Sequence, residues 1–182
     1  METKSIIYKN FSNKKKLLNK KRLTNLVNFK ILFQKYPLLK SLTNNYSYSY
    51  KKKDLKNLKK YTEFNLVGMG GSVLGAQAIY DFLEHKIKKK FFFFNNLQNF
   101  KISKSKKKRL NIVISKSGNT LETVSNLNQI LSKQKKNNNL IITENKKNIL
   151  RLIANKIRSD IIDHKNYIGG RYSVLSEVGM VP

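Results

Sequence analysis

The stretch Asn111-Ile112-Val113-Ile114-Ser115-Lys116-Ser117-Gly118-Asn119-Thr120-Leu121-Glu122-Thr123-Val124 decides the fold. It begins with an apolar, β-branched run too short for a buried helix, which reads as a strand covered on both faces. Without a spacer that run enters Ser115 to Thr120, where hydroxyl residues, a glycine and an amide open an amphipathic stretch of helical length. A strand feeding straight into a helix amino terminus leaves unpaired N–H groups at the junction, and hydroxyls there add donors around one anion. Capping the helix needs only one of those hydroxyls. The surplus points to a cradle that suits a phosphomonoester.

Outward from this junction the same rhythm repeats from Phe64 onward, short apolar runs alternating with amphipathic stretches. That alternation is the pattern of βαβ units. It predicts strands near Phe64 to Gly68, Phe91 to Phe94, Leu110 to Ile114 and Leu140 to Thr143, with a further one near Ile161 to Ile162. Helices are expected near Ser72 to His85, Thr120 to Gln134 and Lys147 to Lys156. Strands joined by helices run parallel, so the expected fold is α/β, a three-layer doubly wound parallel sheet of about five strands, apolar throughout its runs.

A second unusual junction precedes the first. Gly68-Met69-Gly70-Gly71-Ser72-Val73-Leu74-Gly75 leaves one predicted strand and enters a helix. Its glycines permit positive φ and close backbone approach to an anion. A dinucleotide fingerprint fails on spacing, because the third glycine of G-x-G-x-x-G would fall at Val73, and the next strand ends in Asn95 and Asn96 instead of an acid. A phosphate loop of the Walker type fails as well, since no Gly-Lys-Ser/Thr follows.

The first sixty residues differ in character. Leu17, Leu18, Leu23, Val27, Ile31 and Leu32 recur with helical periodicity until Pro37 interrupts. Asn44-Asn45-Tyr46-Ser47-Tyr48-Ser49-Tyr50 reads as a linker to a short basic helix at Lys51 to Lys60. Residues 1–60 are thus expected to be a helical appendage and linker, and residues 61–182 the α/β domain.

Composition narrows the function classes. With no cysteine, disulfide frameworks and cysteine-based zinc sites are excluded. No secretory leader is evident, and no run approaches the roughly 20 apolar residues needed to cross a bilayer, so a cytoplasmic protein without membrane partners is expected. The 38 Lys and Arg against 10 Asp and Glu give a formal charge of +28. These lysines lie in scattered solvated runs, in a chain also rich in Asn, Ile and Phe, residues whose codons are AT-rich. No nucleic-acid motif orders the charge, so no specific nucleic-acid partner is expected; attraction of anionic metabolites is. No cofactor or metal is expected either.

Three segments, Gly68 to Gly75 (GMGGSVLG), Ser115 to Thr123 (SKSGNTLET) and Ile168 to Gly179 (IGGRYSVLSEVG), resemble the sugar isomerase fold and, within it, the glucose-6-phosphate isomerase family. The resemblance covers about Phe64 to Pro182. It implies that Ser115, Ser117, Thr120 and Thr123 hold the phosphate of a sugar phosphate, with Lys116 contributing through its backbone or its charge. Gly71 and Ser72 would lie against the sugar. Arg171 would stabilise the charge building on an enediolate. Glu122 matches a carboxylate that orients a histidine from a neighbouring subunit, which implies a homodimeric full-length form.

Isomerisation through an enediol also needs a base, and ring opening needs an acid–base group. In the family resembled, the glutamate base, the ring-opening histidine and a late lysine follow the Gly-Gly-Arg segment, whereas this sequence ends at Pro182. The expectation is therefore an amino-terminal part that binds a sugar phosphate without turning it over alone. His85 reads as the end of a lysine-rich helix, and His164 as a loop residue. A stand-alone sugar-phosphate sensor is the alternative, but it would not need Gly169-Gly170-Arg171-Tyr172-Ser173.

Overall fold

A computed structural model describes residues 28–97, 108–133 and 138–182. Residues 28–35 are helical, taking in Ile31 and Leu32, whereas Leu17, Leu18, Leu23 and Val27 lie outside the described residues. Lys40–Pro182 form one compact unit.

That unit is built on five parallel strands: β1 (Glu63–Gly68), β2 (Lys90–Phe94), β3 (Arg109–Ile114), β4 (Asn138–Glu144) and β5 (Asp160–His164), in the order β2-β1-β3-β4-β5. The predicted fold class is what the structure has. Helices α1 (Lys52–Lys56), α2 (Leu74–Leu83), α3 (Leu121–Lys133), α4 (Ile149–Ile157) and α5 (Glu177–Met180) complete the layers. Strand alternation sends Phe64, Leu66, Ile112, Ile114 and Ile142 to one face, where Leu55, Ala76 and Val178 cover them. Val67, Val113 and Ile141 point to the other, under Leu127 and Ile130 of α3 and Leu150 and Ala154 of α4. Burial of both faces supplies most of the drive for such a sheet, because each buried aliphatic side chain is worth roughly 1.5–3 kcal/mol.

The strands are not apolar throughout. Asn65, Asn111 and Asn139 stand side by side on β1, β3 and β4. Asn65 Nδ2 donates to Asn111 Oδ1 at 2.7 Å, and Asn111 Nδ2 donates to Asn139 Oδ1 at 2.9 Å. Amides can be buried this way because each finds its partner on the adjacent strand. A slip of one residue would push the ladder to the opposite face, so it also favours this register.

Helix boundaries shift where local geometry intervenes. Gly70, at φ +53°, turns the chain into a 3-10 turn at Gly70–Ser72, which delays α2 to Leu74. The basic segment divides into α1 and a 3-10 turn at Asn57–Lys60. Asn148 caps α4 by accepting the Arg151 N–H, which places the helix start at Ile149. The tyrosine-rich segment packs onto the carboxy-terminal turn: Tyr46 Oη donates to Glu177 Oε2 at 2.9 Å, and Ser49 N–H to Glu177 Oε1 at 2.8 Å.

Candidate functional site

Strand order reverses between β1 and β3. From β1 the chain turns outward to β2, then crosses back to β3 on the opposite side of β1, so loops leaving these two neighbours diverge and open a crevice between them. Gly68 pairs with Ile114. Met69 to Ser72 and Ser115 to Thr120 therefore leave the sheet side by side at the same level.

The turn after β3 is folded on its own hydroxyls. Ser115 Oγ accepts the Gly118 N–H at 3.1 Å and lies 2.9 Å from Thr120 Oγ1, while Ser117 Oγ accepts the Asn119 N–H at 3.2 Å. Ser117 is exposed, Thr120 half-buried and Ser115 buried. Thr120 also accepts the Val124 N–H through its carbonyl and so begins α3, whose first-turn amides are left open to a ligand. Hydroxyls, free amides and the positive end of a helix dipole converge on one small volume, an arrangement that favours a dianion.

Thr123 lies deeper than the exposed Ser117 and the half-buried Thr120. It is buried, and its hydroxyl is enclosed without a hydrogen-bond partner. Lys116 turns its ammonium away. Its Nζ donates to the Asn166 carbonyl at 2.7 Å and lies 3.4 Å from Glu144 Oε1. Burial pushes the Glu144 carboxyl up, but Lys146 and Lys116 outweigh it and hold the group below the usual carboxylate range. The Lys116 charge is thus partly neutralised, leaving its backbone to contribute.

Behind the turn stands α4. Leu150 N–H donates to the Gly118 carbonyl at 3.0 Å, and Ile149 N–H to Asn119 Oδ1 at 2.9 Å.

The second wall comes from two turns pressed together. A Cβ on Gly71 would collide with the Gly170 carbonyl. Ser173 Oγ donates to the carbonyl of Gly170 at 2.6 Å and lies 3.3 Å from that of Gly71. The 3-10 turn Gly170–Tyr172 is thereby fixed beside Ser72. Arg171 is exposed there, and its guanidinium makes no hydrogen bond or ion pair with any described residue. Glu177 is fully buried, carrying the Tyr46 and Ser49 bonds given above. Glu122, in the first turn of α3, is half-buried and also unpaired among the described residues.

His164 is not in a loop. It ends β5, is buried, and donates one hydrogen bond from Nδ1–H to the Lys165 carbonyl at 2.8 Å, while Nε2 has no partner among the described residues. Burial pushes its pKa down. His85 lies exposed in a 3-10 turn, Glu84–Lys86. Among the described residues no group of three His, Cys, Asp or Glu could hold a metal ion, and no helix is long and apolar enough to cross a membrane.

Asn148, Asn119 as a cap and the burial of Glu177 were not anticipated. Only the cap at Asn148 had a visible sign, an amide residue just before an amphipathic run.

Known proteins with matching sequence and fold point the same way. The family profile described as Phosphoglucose isomerase matches residues 37–182. Glucose-6-phosphate isomerase of Methanocaldococcus jannaschii is 36% identical over 142 residues, covering 70% of this chain and 35% of the relative. That of Borreliella afzelii is 33% identical over 149 residues, covering 69% and 27%. This chain thus spans about a third of the length of these relatives. A hypothetical protein of Thermus thermophilus superposes with a TM-score of 0.65 at 26% identity, covering 71% of this chain and 34% of that one. Tagatose-6-phosphate ketose/aldose isomerase of Escherichia coli shares the fold at a TM-score of 0.56 and 18% identity, over 85% of this chain and 42% of its own. On sequence and fold together, the chain belongs to the phosphoglucose isomerase family.

Proposed function

We propose that this chain supplies the sugar-phosphate-binding part of a glucose-6-phosphate isomerase, which interconverts glucose 6-phosphate and fructose 6-phosphate in glycolysis and gluconeogenesis. The observation that carries the reading is the pairing of two turns at one crevice. One offers hydroxyls and helix amino-terminal amides to a phosphate, and the other presents a guanidinium without a partner among the described residues.

In this reading Ser115, Ser117, Thr120 and the first amides of α3 grip the phosphate, and Gly71 and Ser72 let the sugar lie against backbone. Removing the proton from the carbon next to the carbonyl leaves an enediolate. The Arg171 guanidinium compensates that charge as it develops, and the proton returns to the adjacent carbon. The paired and sealed acids of the described residues do not suit the role of base. Glu63 pairs with Arg109, Glu144 with Lys116 and Lys146, and Asp163 with Arg151, while Glu177 is sealed beneath Tyr46. The base belongs to the part of the relatives' length that this chain does not span. Glu122 is reserved for orienting a histidine across a homodimer interface, and the whole works in the cytoplasm without a cofactor.

A coupled dehydrogenase assay tests this together with calorimetric titration. The 182-residue chain is expected to bind glucose 6-phosphate in preference to glucose and to show no turnover. Turnover abolished by Arg171→Ala would place the base within this chain, and absence of saturable binding would overturn the reading.

A further inference from the structure

The phosphate turn does not hold its shape by itself. Gly118 sits at its apex with φ +68°, and a Cβ there would collide with the carboxamide of Asn148. The Asn148 side chain therefore occupies the space that a side chain at 118 would need. It is buried, and both ends of its amide are used. Oδ1 accepts the Arg151 N–H at 2.9 Å, while Nδ2 lies 3.2 Å from Thr143 Oγ1 and 3.0 Å from the Lys146 carbonyl. Thr143 Oγ1 in turn donates to the Lys116 carbonyl at 3.3 Å, so one amide packs against Gly118 and is linked through Thr143 to Lys116.

We propose that Asn148 is a positioning residue for phosphate binding: packed beneath Gly118 and tied through Thr143 to Lys116, it holds the turn in its ligand-ready conformation. The proposal rests on the phosphomonoester reading of Ser115 to Thr120. Asn148 touches no ligand. It acts through Gly118, whose neighbours Ser117 and Thr120 do. Capping α4 would not by itself require an asparagine, since serine or aspartate caps as well. Capping the helix and bracing the turn at once needs an acceptor and a donor on separate atoms that reach the Arg151 N–H and Thr143 Oγ1 together, which a carboxamide supplies.

Asn148→Ser separates these tasks. Its hydroxyl can still accept from Arg151, but it leaves the space under Gly118 unfilled and is too short to reach Thr143. The full chain and this variant are titrated calorimetrically with inorganic phosphate and with glucose 6-phosphate, alongside Ser117→Ala. Each affinity is corrected for the folded fraction measured by circular dichroism. Asn148→Ser is expected to bind both ligands about tenfold more weakly after correction, since small displacements of donors cost at least that much. A corrected affinity within about twofold of wild type, with Ser117→Ala weakened, would overturn the proposal and leave the phosphate reading intact. Failure of the wild-type chain to bind either ligand overturns both.

Discussion

Gly71 and Gly170 meet backbone to backbone, with no room for a side chain on Gly71. This contact joins the turn after β1 to the turn that carries Arg171. Gly71→Ala would force the two apart, and overpacking of this kind costs about 1–3 kcal/mol. The expected result is a melting temperature lowered by several degrees together with weaker sugar-phosphate binding, whereas Ser72→Ala leaves the melting temperature unchanged. A Gly71→Ala chain that melts like wild type would refute the rigid junction.

Arg171 is the reverse case. Its guanidinium is exposed and unpaired among the described residues, so Arg171→Ala should change stability by no more than about 0.5 kcal/mol. Its value lies in binding. A phosphorylated aldonic acid, which carries a carboxylate where an enediolate would form, should lose more affinity than inorganic phosphate does. Arg171→Lys should restore only part of the loss, because an ammonium lacks the fixed fork of donors. Equal losses for the two ligands would instead make Arg171 a phosphate ligand.

Much of the fold was legible because parallel strands advertise themselves. Ile112-Val113-Ile114 is covered on both faces and reads as an uninterrupted apolar run, and Phe91 to Phe94 reads the same way although its edge strand leaves it half-buried. What escaped detection depends on neighbours that are remote in sequence. Nothing local to Asn65, Asn111 or Asn139 says that three amides will align across adjacent strands. The burial of Glu177 likewise depends on Tyr46 and Ser49, which lie far from it in sequence and close over its carboxylate. The phosphate turn was legible as a surplus of hydroxyls, yet which hydroxyls face the crevice depends on how α3 leaves the turn.

That distinction separates Ser117 from Thr123. Ser117→Ala should lower affinity for inorganic phosphate and for glucose 6-phosphate about tenfold, since a hydrogen bond to a charged group is worth roughly 1.5–3 kcal/mol. Stability should not change, because the side chain is exposed. Thr123→Val should do the opposite. Its enclosed hydroxyl is desolvated without compensation, so a shape-matched apolar group should raise stability by up to about 1 kcal/mol and leave phosphate affinity unaltered. Loss of affinity in Thr123→Val would show that the hydroxyl swings out to meet the ligand.

Acid sensitivity should come in two stages, each with its own group. Burial lowers the His164 pKa, so the folded state resists a proton that the unfolded chain accepts near its ordinary value of 6.5. Stability contributed by the neutral ring is whole above that value and falls as the pH drops through it, levelling off below the folded pKa. The charged groups acting on the ring are Glu177 and Glu144, which favour its protonation, and Lys116, which opposes it. Their net effect does not offset burial. Glu144 follows at lower pH: its folded pKa lies below the ordinary 4.5, so its contribution is present above 4.5 and lost as the pH falls through the depressed value. Melting temperature should therefore decline as the pH falls through 6.5, and decline again below 4.5. His164→Gln should flatten the first decline alone, and Lys146→Met should weaken the second. A first decline of undiminished size in His164→Gln would assign it to another group.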